Sequence, residues 1–244
     1  MIGAIAAAYG RRHGDGSSTA AADRAGPGAP VVSPPVDLDG AGWTLAHELR
    51  LRGVSATAAE GGSDDLVEVL LAAGVAVRTR RSIVLTAEGR EHHARWARVP
   101  PGSPEETAVR GAHERFLPLN RELLSVCGAW QVRPGGVPND HADARYDWAV
   151  IDRLHGLDER AAPVLRRLGQ AVPRFAPYRS RLRAALARVE EGDREWVTSP
   201  RLDSYHTVWM QLHEDLLLAL GLDRGQEPEV IAAPAPGRGP APGR

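Results

Sequence analysis

Two polar constellations in the second half of the chain hold the residue types that do chemistry. The first is Trp130-Gln131, then Asn139-Asp140-His141, then Tyr146-Asp147 and Arg153; the second is Ser204-Tyr205-His206-Thr207-Val208-Trp209 with His213-Glu214-Asp215. Imidazoles beside carboxylates can move a proton at neutral pH. His141, His206 and His213 with Asp140 or Asp143 would also offer the nitrogen and oxygen ligands that zinc and iron take. Spacing works against a metal. On one helix the seven-residue separation puts His206 and His213 about 10 Å apart, whereas tetrahedral ligands at about 2.0 Å from a metal lie about 3.3 Å from each other. Neither His-Glu-x-x-His nor Cys-x-x-Cys occurs, and no nucleophile motif accompanies His141, His213, Glu214 and Asp215. The residues therefore predict no catalytic set and no metal. They leave open histidines satisfied in or beside a core, or a small-molecule site built from Trp130, Asn139, Asp140, His141, Tyr205, His206, His213 and Glu214, with His206 or His213 hydrogen-bonding an anion; a small metal-dependent or acid-base enzyme is the third expectation for the chain, behind the two binding readings given below.

Composition excludes several other chemistries. All 30 basic residues are arginine, so there is no lysine for a Walker loop, a Schiff base or a Ser-x-x-Lys pair. No cofactor is expected. Arg174, Arg179, Arg181, Arg183 and Arg188 recur at helical spacing, which fits a solvated face or an anion site for an acidic metabolite. The formal net charge of -1 gives no long-range pull toward nucleic acid or an anionic membrane. A single cysteine, Cys127, excludes an internal disulfide, fits a reducing cytoplasm, and falls in an apolar helical run where a thiol serves as filler. No stretch approaches the roughly 20 apolar residues of a membrane span.

The elements that must position these residues follow from the punctuation. Residues 1–37 and 225–244 are rich in Gly, Ala, Ser and Pro without hydrophobic period and read as disordered tails. Between them, Val99-Pro100-Pro101-Gly102 separates a small unit, 38–99, from a helical bundle, 103–224. Ser103-Pro104-Glu105-Glu106 opens a helix to about Phe116, which Pro118 restarts or kinks toward Cys127. After the Pro-Gly-Gly loop, Asn139 or Asp140 caps a helix to about His155. Further helices are predicted over Asp158 to Ala171, Pro177 to Glu191, and from Ser199-Pro200 to Gly221. In the last, Tyr205, Trp209, Leu212, Leu216 and Ala219 form the core stripe, with His206, Met210, His213 and Leu217 at its edge. The fold class is mainly α.

The small unit has its own signature. After a first helix, about Trp43 to Leu51, Ser63 is placed to cap a helix over Asp64 to Ala73 whose apolar face is Leu66, Val69, Leu70 and Ala73, and Gly74 ends it. Val75 and Val77 then face Ile83, Val84 and Leu85 across the polar tip Arg78-Thr79-Arg80-Arg81-Ser82, a short β-hairpin. Thr86 caps the helix that follows.

The run LVEVLLAAGVAVRTRRSIVLTAEGREHHARW, Leu66 to Trp96, resembles the MarR-type winged-helix transcriptional regulators in the order of reading helix, wing and closing helix and in its Leu-Thr-x-x-Gly-Arg. The resemblance implies a helix-turn-helix unit that binds double-stranded DNA, with Arg78, Arg80 and Arg81 as the wing's phosphate contacts and Asp64, Asp65, Glu68 and Ala72 facing the groove. It also implies a homodimer. Three carboxylates on that face oppose the phosphates in sign, so an interaction module that does not read DNA is the second expectation. Residues Trp130-Gln131, Pro138 to His141, Tyr146-Asp147 and Asp203 to Trp209 resemble a helical module associated with phosphoenolpyruvate- or pyruvate-dikinase-related proteins, which implies a protein partner of that type. Partners therefore range over duplex DNA, a small acidic effector and a protein.

Overall fold

The computed structural model of the chain describes residues 38–52, 64–80 and 82–223. The chain is mainly helical. Its order is α1 (Gly40–Arg52), α2 (Asp64–Ala72), β1 (Ala76–Arg78), β2 (Ile83–Leu85), α3 (Ala87–Ala97), α4 (Pro104–Gln131), β3 (Val132–Arg133), β4 (Val137–Pro138), α5 (Ala144–Ala171), a 3-10 turn (Pro173–Phe175), α6 (Ala176–Glu190), α7 (Glu195–Thr198) and α8 (Tyr205–Leu220).

In the first unit, β1 and β2 pair antiparallel with Ala76 opposite Leu85 and Arg78 opposite Ile83, as the β-branched runs predict. Gly74 takes φ +67, the left-handed value that ends α2. The buried face of α2 differs from the expected one. Val67 and Leu70 are buried and Val69 is exposed, because the helix turns Val67 toward Trp43, Leu49, Val75 and Ile83, with which it forms a core separate from the bundle's. The position of Ser63 and the short segment between α1 and α2 lie outside the described residues.

The bundle is built on two 28-residue helices, α4 and α5, packed on each other. Both run longer than the sequence predicts: α4 continues through Pro118, and α5 joins the helices expected to about His155 and over Asp158 to Ala171 into one, with Pro163 inside it. A proline interrupts one i→i−4 hydrogen bond, but Phe116, Leu123 and Val126 on α4 and Leu157, Ala161 and Leu165 on α5 are buried on either side of it, and each helix continues. A second small hairpin, β3 with β4, joins α4 to α5, so the second half is not purely helical. The cap of α5 is Asp143, whose carboxylate accepts from the Tyr146 amide at 3.1 Å, rather than Asn139 or Asp140.

α8 begins at Tyr205, capped by Ser204, not at Ser199. It is buried on nearly every face, so His206 and His213 lie within the core rather than at its edge. The reason is that α8 packs on α1 and α3 of the first unit as well as on α4, α6 and α7. The link between the halves is itself tied down: the Val99 amide donates to the Ala219 carbonyl at 3.0 Å, and Leu51 and Val99 belong to the bundle's core. Among the described residues no helix is long and apolar enough to cross a membrane.

Candidate functional site

The joint between hairpin and α3 shows what Leu85-Thr86-x-x-Gly89-Arg90 does. The Thr86 hydroxyl donates to the Gly74 carbonyl at 2.8 Å and accepts from the Gly89 amide at 2.9 Å, while its own amide donates to Val75 at 3.0 Å. Gly89 lets α3 lie against β1's entry, since a Cβ there would stand 2.0 Å from the Val75 carbonyl oxygen. Arg90 donates to the Leu85 carbonyl at 2.8 Å. Helix, hairpin and helix are thereby held as one piece.

The outer surface of that piece is mixed. Asp64, Asp65, Glu68 and Ala72 are exposed, as the helix period predicts. Arg78 is not a free cation: it pairs with Glu68 at 2.7 Å. Arg80 is exposed at the hairpin tip, which is closed by Thr79 and Ser82 through a 2.7 Å backbone hydrogen bond. Arg81 lies outside the described residues.

Where the two halves meet, a chain of polar side chains is buried. Asp215 on α8 is wholly buried and accepts from Arg174 Nε at 3.0 Å, Tyr178 Oη at 3.2 Å and His47 Nε2 at 3.2 Å. His47 Nδ1 lies 3.0 Å from His93 Nε2, and the two rings stack at 5.2 Å. His47 Nε2 donates to Asp215, and its Nδ1 faces His93 Nε2. His93 Nδ1 has no hydrogen-bond partner among the described residues. Burial, reinforced by His47 and Arg50 nearby, lowers the His93 pKa to about 3, so this imidazole stays neutral. Burial and the Asp215 charge push the Tyr178 phenol well above its usual range. These groups latch the halves together.

A third cluster surrounds Asp147, a buried carboxylate on the first turn of α5. Asn139 Nδ2 donates to it at 2.9 Å and His141 Nδ1 lies 3.0 Å away. Asn139 also donates to the Trp130 carbonyl at 3.1 Å, and the His141 ring sits 4.4 Å from that of Trp130. His141 takes φ +60, a left-handed backbone that a non-glycine residue holds only when its contacts impose it. Beside this cluster opens a cavity of about 710 Å³ whose walls include Trp130, Asp147, Trp148, Arg194, Glu195 and Trp196.

The predicted ligand-site residues thus separate. Trp130, Asn139 and His141 come together around Asp147, while Asp140 is exposed beside them and accepts from the Ala142 amide at 3.1 Å. The second constellation goes elsewhere. Tyr205 is buried with its hydroxyl on Asp158 at 3.2 Å, and burial beside that carboxylate raises its pKa. His206 is buried and its pKa falls to about 4 through desolvation. The His213 ring lies tilted against Phe116, centroids 4.9 Å apart, and Glu214 pairs with Arg50 at 2.8 Å. The expected arginine face pairs with carboxylates of the chain: Arg174 with buried Asp215, Arg179 and Arg183 with buried Asp158, Arg181 with Asp203, and Arg188 with Glu191 and Asp193 at the surface. Cys127 is buried and its thiol is pushed up to about 12. Among the described residues no group of three or more His, Cys, Asp or Glu is arranged to hold a metal ion.

Sequence reasoning reached Asp147 through the Tyr146-Asp147 pair but missed Trp148, Arg194, Glu195 and Trp196, which the chain supplies from segments far apart. It also missed the His47–His93 contact. The signal available there was the spacing of Trp43, His47 and Arg50, which sets a polar pair on the buried face of α1. Comparison of the chain with protein-family models, with curated proteins and with solved structures finds no match.

Proposed function

We propose that the protein is a ligand-responsive regulator of winged-helix type, in which the first unit binds duplex DNA through the hairpin tip and α2, and the bundle senses a small molecule. The observation that carries the reading is the rigid helix–hairpin–helix joint made by Thr86, Gly89 and Arg90, which presents Arg80 and the exposed face of α2 on one unit. Contact of α1 and α3 with α8, through the His93–His47–Asp215 chain, gives the bundle a path to that unit.

A second reading is favoured by the surface charge. Glu68 neutralises Arg78, and Asp64 and Asp65 flank it, a pattern suited to a protein partner, including one of the dikinase-related type, rather than to a phosphate backbone. Titration of fluorescent duplex DNA at two salt concentrations separates the two. The DNA reading expects affinity that falls with salt, weakens in Arg80→Ala, and strengthens in Glu68→Gln as Arg78 is released. A flat titration for all three proteins removes it in favour of the interaction module. The elution volume of the protein on size exclusion tests the homodimer.

A further inference from the structure

We propose that the cavity between the end of α4, the start of α5 and the α6–α7 turn is a binding site for a small organic cation of the alkylated ammonium type. The inference rests on the bundle's being a ligand-sensing domain and not on DNA binding. Three of the protein's six tryptophans, Trp130, Trp148 and Trp196, contribute to one cavity of about 710 Å³, a volume in the range of small-molecule sites. Indole faces attract cations through their quadrupole, most effectively cations that are weakly hydrated. Trp196 is already used in this way, with the Arg188 guanidinium 5.7 Å from its ring centre.

Charge selects the sign of the ligand. Asp147, Asp193 and Glu195 line the cavity against one guanidinium, that of Arg194. Asp193 is neutralised by Arg188, and Arg194 stands 3.8 Å from Asp147. Glu195 has no ion-pair partner among the described residues, so it is the carboxylate left to meet a cation. The small acidic effector expected from the sequence would meet this surplus of carboxylates instead, while the arginines it would need are tied to Asp158, Asp203 and Asp215. Trp148, half exposed on α5, forms the rim over which a ligand enters. Burial of Asp147 and its bonds to Asn139 and His141 fix the cavity's inner wall before any ligand arrives.

Isothermal titration of the full chain, without DNA, tests the proposal with choline, its uncharged carbon isostere 3,3-dimethylbutan-1-ol, and benzoate. Choline is expected to saturate one site per chain, with the isostere weaker by about tenfold and Trp148→Ala weakening choline by about fivefold, the size of a cation–π contact at a partly exposed ring. Glu195→Gln, at an exposed position, is expected to weaken choline and leave the isostere unchanged, and it keeps the test valid should Trp148→Ala fail to fold. No saturable heat, an isostere as tight as choline, or benzoate binding more tightly than choline overturns it. Because no DNA is present, failure here is distinct from failure of the duplex titration.

Discussion

Replacing Asp215 by Ala tests whether the buried polar chain holds the two halves together. The carboxylate is fully buried and has three partners, Arg174, Tyr178 and His47. Removing one member of a buried ion pair costs about 3–5 kcal/mol, because the remaining charge loses its compensation. The Arg174 side chain keeps 20% of its exposure and can recover some hydration, which favours the lower end. Tyr178 Oη still reaches the Gln211 carbonyl at 3.4 Å, so its hydroxyl adds little. The expected loss is therefore about 3 kcal/mol, equivalent for a domain of this size to a Tm lower by about 6–12 °C. Urea unfolding followed by far-UV circular dichroism and tryptophan fluorescence measures it. At an m value of about 2 kcal/mol/M the midpoint falls by about 1.5 M. Asp215→Asn keeps the shape and is expected to lose less. A midpoint for Asp215→Ala indistinguishable from wild type at unchanged m would refute the view that this chain is a structural latch.

Three further outcomes are expected. Stability falls as pH drops from 7 to 5: His206 and His93 have folded pKa values of about 4 and about 3 against 6.5 in the unfolded chain, so below 6.5 the unfolded state binds more protons. Each group contributes a slope of up to about 1.4 kcal/mol per pH unit; His206→Phe should remove one proton from the slope measured by urea midpoints at several pH values, and an unchanged slope contradicts it. Gly89→Ala should destabilise the first unit by about 3 kcal/mol, since the new methyl has to displace the Val75 backbone; amide exchange of Val75 to Leu85 reads it, and wild-type protection would contradict the close approach. Cys127 should react with a thiol reagent only at the rate of unfolding, its thiol being buried and its pKa about 12; rapid native-state labelling would disagree.

Short-range features were legible in the chain because local chemistry decides them. Gly74 ends α2, Thr86 caps α3, Ser103 and Pro104 open α4, and the runs on either side of the polar tip pair as a hairpin. Each depends on backbone sterics or a hydrogen bond within a few residues. Two expected breaks failed for the same reason read in reverse: Pro118 is a local breaker and the segment from His155 to Asp158 shows a local pause, but α4 and α5, packed on each other, run through them.

Order along the chain was enough to set the helical class, the punctuation, the lysine-free inventory of side chains and the closeness of Trp130, Asn139 and His141 around one loop. Which charges are paired depends on how the helices pack. Arg78 is neutralised by Glu68 ten residues earlier, Arg174 by Asp215 forty-one residues later, and His47 meets His93 across a helix pair. The cavity joins Trp130 to Trp196 through a turn no local pattern connects to it. Coulomb and hydrogen-bond energies depend on distance and on exclusion of water, and both are set where helices cross, not where residues follow one another.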